Sequence, residues 1–389
     1  MLDVAIVGGG PAGASAALTL ARAGFETLVI ERSQFPRTKA CGEYLNAGAV
    51  ALLCELGLER VLAPMAARLD GIRLSGNGVR TELRFSRPGW ALPRAQLDDA
   101  LLQSALSSGA RLLQARVEDV TQEESCAVLA IRETDGEVRA VRARMVIGAD
   151  GAHSIVAKKC GLTVESFGAQ RFALGGHYSG FTDLEPFVEM FVEGSSYFAV
   201  NPFDAAHANV MVIVREKDLA ARKDDVDPFV RQRAERLSGN ASRFSEMRLD
   251  GKRIAVGPLA HSTRGLTSGR VLLAGDAGGF IDPFTGQGVY LALRAGIAAA
   301  QTIAGALKAP SVAKGLLERY EDTLTRDMQL RERLAQVVRS FVRYPLLSKR
   351  VARNLRREPE RARALVDAIS GCGTVEAALR VGNIMRLVA

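Results

Sequence analysis

The sequence predicts an α/β protein: a parallel-sheet unit, an inserted mixed or antiparallel β-sheet, and a helical C-terminus. Three observations predict it. A short apolar run, Leu2–Val7, leads straight into a glycine-rich turn and an alanine-rich helical stretch. Between Arg171 and Val214 the apolar residues recur with a period of about two. From Val289 onward the pattern is mostly helical, interrupted at Pro310, Pro345 and Gly371-Cys372-Gly373.

Leu2–Val7 reads as a buried strand. Gly8, Gly10 and Gly13 then fall at the spacing G-x-G-x-x-G. The first glycine permits the tight turn, the second lets backbone approach a pyrophosphate, and the third lets helix and strand pack closely. The helix expected over Ala14–Ala23 turns its free N–H groups and positive dipole end toward that pyrophosphate. A second strand, Thr27–Ile30, ends in Glu31, where an acid about 20 residues past the glycines takes a ribose hydroxyl. Strand, turn, helix and acid together predict dinucleotide binding. They do not choose between FAD and a nicotinamide.

Residues 34–48 read as a loop, long for a structureless connection and therefore a functional candidate. Ala47–Leu58 has helical spacing. Leu69–Leu83 reads as a hairpin turning at Gly76-Asn77-Gly78. Leu92-Pro93-Arg94 leads into a helix over Ala95–Ser108 that carries Asp98 and Asp99 in its early turns. Ala110–Val117 is the next strand, and Glu118–Ala140 gives two or three short ones. Val141–Ala149 runs into Asp150-Gly151-Ala152-His153-Ser154, a turn able to close over a ribose or phosphate. The inserted sheet takes Arg171–Gly180, Phe187–Glu193, Tyr197–Pro202 and Asn209–Val214. Pro228–Leu237 is expected to be helical, capped by Asp227 with Pro228 at the first position. Arg270–Gly275 returns the chain to the first unit and delivers Asp276-Ala277-Gly278-Gly279 through Gly286-Gln287-Gly288.

The bulk properties are those of an ordinary soluble enzyme, with 389 residues, 48% hydrophobic and 24% charged. The N-terminus reads as a strand rather than a signal peptide. No run of about 20 apolar residues is apparent, and the longest candidate, Ala295–Leu307, is too short to span a bilayer. Cys41, Cys54, Cys126, Cys160 and Cys372 are scattered and odd in number, which argues for a reducing compartment and against a disulfide framework or zinc site. The four histidines show no metal-ligand spacing, so no metal is expected. These features predict a cytoplasmic protein. The net charge of +8 is concentrated at Arg339, Arg343, Lys349, Arg350, Arg353, Arg356, Arg357, Arg361 and Arg363, opposed in that stretch by Glu358 and Glu360 alone. A solvated helix face is one reading. Peripheral contact with anionic lipid, or capture of an acidic carrier or substrate, is the other. No reading-head motif accompanies the charge, so nucleic acid is not an expected partner.

Gly8–Gly13 with Glu31, then Asp150-Gly151, then Gly275-Asp276 occur in order, each at a strand end. In this arrangement the chain resembles, over about residues 1–300, the FAD-dependent fold of p-hydroxybenzoate-hydroxylase-type monooxygenases, geranylgeranyl reductases and flavin halogenases. The resemblance implies a Rossmann-like FAD-binding domain over residues 1–165 with a small hairpin insertion near 69–90. It further implies a substrate-binding β-sheet domain over 166–268, the last strand and helix of the FAD domain over 269–308, and a basic helical region over 309–389. It places the cofactor against Gly8, Gly10, Pro11, Ala12, Gly13, Glu31, Arg32, Cys41, Gly42, Arg94, Val117, Asp150, Gly151, Gly275, Asp276, Pro283, Gly286 and Gly288. The helix after Gly286-Gln287-Gly288 would point its N-terminus at the flavin's pyrimidine edge.

Lys39-Ala40-Cys41-Gly42-Glu43 and the Gly275–Gly288 segment are similar to the reductase branch. The aromatic signature of that branch is only partly met by Tyr197-Phe198-Ala199-Val200-Asn201-Pro202-Phe203, and Gln287 is a residue that hydroxylases favour. The halogenase tryptophan box is not evident. The implied function is flavin reduction by NADH or NADPH, followed by reduction or dehydrogenation of a hydrophobic prenyl, polyketide or aromatic substrate. An O2-dependent hydroxylase and a non-catalytic electron-relay protein are the alternatives. Cys41, Glu43 and Tyr44 are the catalytic candidates: Cys41 as a proton donor or as a small residue fitting beneath the flavin, Glu43 and Tyr44 as substrate-orienting or proton-moving groups. His177 and His207 read as packed or exposed residues of the inserted sheet.

Overall fold

The computed structural model describes residues 1–164, 171–194, 196–216, 226–238, 241–280, 282–309 and 313–388. The expected boundary at 165–166, Ile281 and the break at Pro310 lie outside them. The first sheet is built around Leu2–Val7, with Thr27–Glu31 on one side and Val138–Gly148 on the other, all parallel. Val4, Ala5 and Ile6 are fully buried, so both faces of this strand are covered. Arg111–Gln122 extends the sheet beside Thr27–Glu31, and Val271–Leu273 extends it beyond Val138–Gly148.

The two long strands serve twice. Their outer halves leave the parallel sheet and sandwich Ala127–Glu133 in an antiparallel meander. The expected break at Val117 is therefore a register shift between Val117 and Asp119 inside one strand, not a strand end.

The second sheet has eight strands, in the order Arg248–Val256, Arg171–Ser179, Ala208–Arg215, Ser196–Pro202, Phe187–Glu193, Ala67–Gly76, Val79–Ala91 and Tyr44–Leu45. The hairpin Ala67–Ala91 thus belongs to this sheet and is not a small addition to the first unit. Ala67–Gly76 pairs in parallel with Phe187–Glu193, and Leu69 and Leu83 join Val188 and Met190 in one buried cluster. Its turn residues Asn77 and Gly78 sit at φ 53° and 72°, the geometry a two-residue hairpin turn requires. Arg248–Val256 is an edge strand with no apolar alternation and mostly exposed side chains.

Helix Pro11–Arg22 starts three residues earlier than expected, with Pro11 in its first turn. It packs on helix Gly288–Lys308 so closely that a Cβ at Gly296 would lie 2.1 Å from the Ala12 carbonyl oxygen. Gly288–Lys308 has 21 residues and a mean hydropathy of 1.3, so it is long and apolar enough to cross a membrane by length and composition, contrary to the sequence reading. In the fold it is a core helix: Leu293, Ala299, Ala300 and Ile303 are fully buried. The helix expected from Pro228 starts at Val226, so Asp227 lies in its first turn and pairs with Arg253 instead of capping. C-terminal helices Ala313–Arg343, Pro345–Arg357 and Pro359–Ile369 follow, and they supply Leu334, Val338, Phe341, Leu355 and Leu365 to the cluster under the second sheet.

Candidate functional site

Residues from both sheets line one cavity of about 480 Å3. Its floor is the glycine turn. Gly8 has φ 101°, and a Cβ there would lie 2.4 Å from the Ala149 carbonyl oxygen. A Cβ at Gly13 would lie 1.8 Å from the Gly8 carbonyl oxygen, so Gly13 is a packing glycine. A Cβ at Gly10 would meet only the Arg37 guanidinium, at 3.5 Å, so this position opens on the cavity. Gly10 caps helix Pro11–Arg22 and no side chain caps its first N–H groups. Glu31 accepts from the Gly9 and Ser33 backbone N–H groups at 2.8 and 2.9 Å.

The remaining polar wall fits a diphosphate-bearing dinucleotide. Arg37 reaches the fully buried Asp98 at 3.6 Å, and Arg94 holds the same carboxylate through two bonds of 2.7 and 2.8 Å. Lys39 stands beside them; burial, then the Arg37 and Arg94 charges, push its pKa down. Such a cluster of cations is stabilised by an anion. Asp150 Oδ2 accepts from the Ile155 and Val156 N–H groups, whereas its buried Oδ1 has no partner in the protein. Burial raises the pKa of Asp150 and of Asp276 alike, as it does for carboxyls awaiting a hydroxyl or N–H donor. Ser154, expected to reach a ribose or phosphate, instead caps helix Ile155–Lys159 by accepting from the Ala157 N–H.

The loop Cys41-Gly42-Glu43-Tyr44 forms the next wall. Asn201 and Asn209, cross-strand partners on the second sheet, donate to the Gly42 and Cys41 carbonyl oxygens at 2.6 and 3.1 Å. Their own Oδ1 atoms are buried and unpartnered among the cavity-lining residues. Glu43 is buried; its carboxylate accepts from the Arg94 backbone N–H at 2.7 Å and from Asn209 Nδ2 at 3.1 Å, and lies 2.5 Å from His177 Nε2. Burial pushes the Cys41 thiol up, so it remains protonated; its Sγ accepts from the Glu43 N–H. Tyr44 stacks on Phe85.

The last wall is the turn between Gly275 and Gly288. Asp282 is a buried hub, accepting from Arg171, Arg339, Tyr197 and the Phe284 N–H at 2.5, 2.6, 3.2 and 2.8 Å. Gln287 precedes helix Gly288–Lys308 without capping it. Its side chain donates to the Ile369 carbonyl and accepts from Arg331. The segment after residue 332 therefore holds this turn in place.

Gly8, Gly10, Pro11, Ala12, Glu31, Arg32, Cys41, Gly42, Glu43, Tyr44, Arg94, Asp150, Gly151, Asp276, Pro283, Gly286 and Gly288 all line this cavity, as the sequence leads one to expect. Gly13 and Gly275 lie behind it, Gly275 with φ 62° and Ala12 against it. Val117 does not line the cavity: its side chain is buried in the cluster with Ala115, Val120 and Ile131. The sequence reading assigns no role to Asn201, Asn209 and Asp282, and it reads His177 as packed or exposed. A polar side chain at a core-facing position of an apolar strand was the available signal for the two asparagines.

A dinucleotide cradle that opens onto an apolar chamber in a second sheet is the layout of a flavin-dependent oxidoreductase. The chain belongs to the FAD binding domain family, which it matches over residues 1–332, and it is an FAD-dependent enzyme. It is 32% identical to the menaquinone reductase of Mycolicibacterium smegmatis, over 77% of this chain and 75% of that protein. It is 30% identical to digeranylgeranylglycerophospholipid reductase 2 of Methanothermobacter thermautotrophicus, over 82% of each. In fold it is similar to a triple mutant of the flavin-dependent brominase Bmp2, with a TM-score of 0.85 at 22% identity and 98% of each chain covered.

Proposed function

We propose that this enzyme uses NADH or NADPH to reduce FAD and then saturates a carbon–carbon double bond in a hydrophobic, prenyl-bearing substrate. The observation that carries the reading is the apolar end of the cavity. Ala173, Val188, Met190, Ala199, Met211 and Ile213 project from adjacent strands of the second sheet and meet the Cys41–Tyr44 loop. Unbranched methionines adapt to a flexible chain, and small alanines leave it room. FAD, when bound, supplies the hydride chemistry. The protein's part is to hold the diphosphate on the Gly8–Gly13 turn and helix N-terminus, to hold a ribose at Glu31, and to keep water from the chamber. Names of two groups of relatives, menaquinone reductase and digeranylgeranylglycerophospholipid reductase, fit a prenyl substrate. Halogenase relatives also exist, but a halogenase W-x-W box needs two tryptophans and this chain has one.

The test is anaerobic incubation of the FAD-loaded enzyme with NADH or NADPH and a menaquinone whose prenyl chain is unsaturated. A mass gain of two hydrogens in the chain supports the reading. Product that forms only with O2 and gains oxygen identifies the hydroxylase alternative; flavin reduction without any product identifies the electron relay.

Peripheral contact with an anionic bilayer, on its cytoplasmic face, is part of the same reading. Tyr344 and Leu346 are 55% and 85% exposed, beside the exposed cations Arg343, Lys349 and Arg353. Apolar side chains ringed by cations suit the interface of an anionic lipid surface, where a prenyl substrate resides.

A further inference from the structure

Glu43 and Asn77 are the two non-glycine residues with φ in the left-handed region among those described. Asn77 sits in a hairpin turn, where that geometry is cheap. Glu43 has no such excuse: φ is 57° on a long side chain, and glycine would adopt the conformation without strain. Strain of this kind persists where the side chain is needed. The residue is 1% exposed, and its carboxylate touches two side chains, Asn209 and His177.

His177 spans the wall. Nε2 lies 2.5 Å from Glu43 Oε2, whereas the side chain is 33% exposed and edge-on to Phe203. Glu43 lines the cavity and His177 does not. The groups facing the pair are Cys41 and Arg94 behind the loop, Asn209 on one neighbouring strand and Asp250 opposite His177 on the other. The hydrogen bond to Glu43, opposed by burial and aided by the Glu43 and Asp250 charges, raises the His177 pKa and so favours the protonated ring.

We propose that Glu43 and His177 form a proton relay from solvent into the cavity. The proposal rests on the double-bond reduction above for its substrate, but not for the proton path. In that reduction one alkene carbon gains a hydride from the reduced flavin. His177 passes its proton across the Oε2–Nε2 contact to the Glu43 carboxylate, and the π pair of the broken C=C bond takes that proton from Glu43 at the other carbon. Solvent then reprotonates His177. NAD(P)H supplies both electrons, and charge balances with one proton drawn from solvent.

The first test needs no substrate. FAD-loaded enzyme is reduced by pulse radiolysis in weak buffer, and proton uptake is followed with a pH-indicator dye. His177→Asn and Glu43→Gln should slow uptake tenfold or more at pH 7, and added imidazole should restore it in His177→Ala. His207→Asn, at an exposed histidine outside the cavity, should take up protons as the natural enzyme does. Uptake within twofold of the natural enzyme in both His177→Asn and Glu43→Gln overturns the relay, as does an equal loss in His207→Asn. The second test follows reduction of the menaquinone prenyl chain from pH 6 to 9. The natural enzyme should slow as His177 deprotonates, and His177→Asn should lose that alkaline limb with KM unchanged within twofold. A limb that survives in His177→Asn also overturns the proposal. If the natural enzyme leaves menaquinone untouched, the substrate assignment fails and the uptake experiment still decides the relay.

Discussion

Gly10→Ala and Gly13→Ala separate ligand contact from packing within one turn. In Gly13→Ala the new methyl lies 1.8 Å from the Gly8 carbonyl oxygen, against an ordinary contact of 3.4 Å, so helix and turn must part by about 1.6 Å. Gly8 cannot follow freely, because its N–H donates to the Ile30 carbonyl at 2.9 Å. Overpacking of this kind costs about 3 kcal/mol. That is felt in stability, and it displaces the helix N-terminus that faces the cofactor. FAD affinity should fall at least about a hundredfold, or about 2.7 kcal/mol. Gly10→Ala differs. Its backbone has φ −72° and ψ −174°, open to any residue, and the methyl meets only the Arg37 guanidinium, at an ordinary contact of 3.5 Å. Folding stability should stay within about 1 kcal/mol, the poorer alanine cap being offset by lower unfolded-chain entropy. FAD affinity should nevertheless fall at least about tenfold, because the methyl stands where a diphosphate must approach. Urea unfolding of the cofactor-free protein and FAD titration by flavin fluorescence give the two numbers. Unchanged FAD affinity in Gly10→Ala would refute the assignment of this turn to the pyrophosphate.

Three further outcomes follow from the structure. Asp282→Asn leaves Arg171 and Arg339 facing a neutral amide in a mostly buried site, and should cost about 2–3 kcal/mol in urea unfolding. His177 has its folded pKa raised above 6.5, chiefly by the hydrogen bond to Glu43. Its stabilising effect is therefore fully present below pH 6.5 and lost as pH rises through the folded value; urea midpoints of the natural protein and His177→Gln should converge on going from pH 6 to 9. Leu346→Glu removes an apolar contact from the cationic surface and should abolish salt-sensitive co-sedimentation with phosphatidylglycerol vesicles while leaving FAD binding intact. Vesicle binding that persists in Leu346→Glu would point to charge alone.

The first thirty-one residues are legible apart from the helix's first turn, because every feature there is local: strand, turn, helix and acid lie within one stretch of chain. The second sheet's strands were legible from Arg171 to Val214 for the same reason. Its edge strand Arg248–Val256 was not, since an exposed, charged strand has no apolar period. Nor was the hairpin's membership of that sheet, which is settled by pairing between Ala67–Gly76 and Phe187–Glu193, more than a hundred residues apart. The residues assigned to the cofactor line the cavity except Gly13, Val117 and Gly275, whereas Arg37 and Lys39 line it and carry no assignment in the sequence reading. The Glu43–His177 pair and the Asp282 hub could not, because each joins positions whose separation leaves no trace in local spacing.

The family match ends at residue 332, yet Arg339, Ile369 and Ser370 anchor Asp282, Gln287 and Gly48 from beyond it. A recombinant chain trimmed at that limit would keep every recognisable signature and forfeit the scaffolding behind one of them, the Gly275–Gly288 segment, and behind the helix that starts at Ala47. Drift in the tail thus offers natural selection a remote dial on flavin grip, adjustable without altering any group that meets the cofactor.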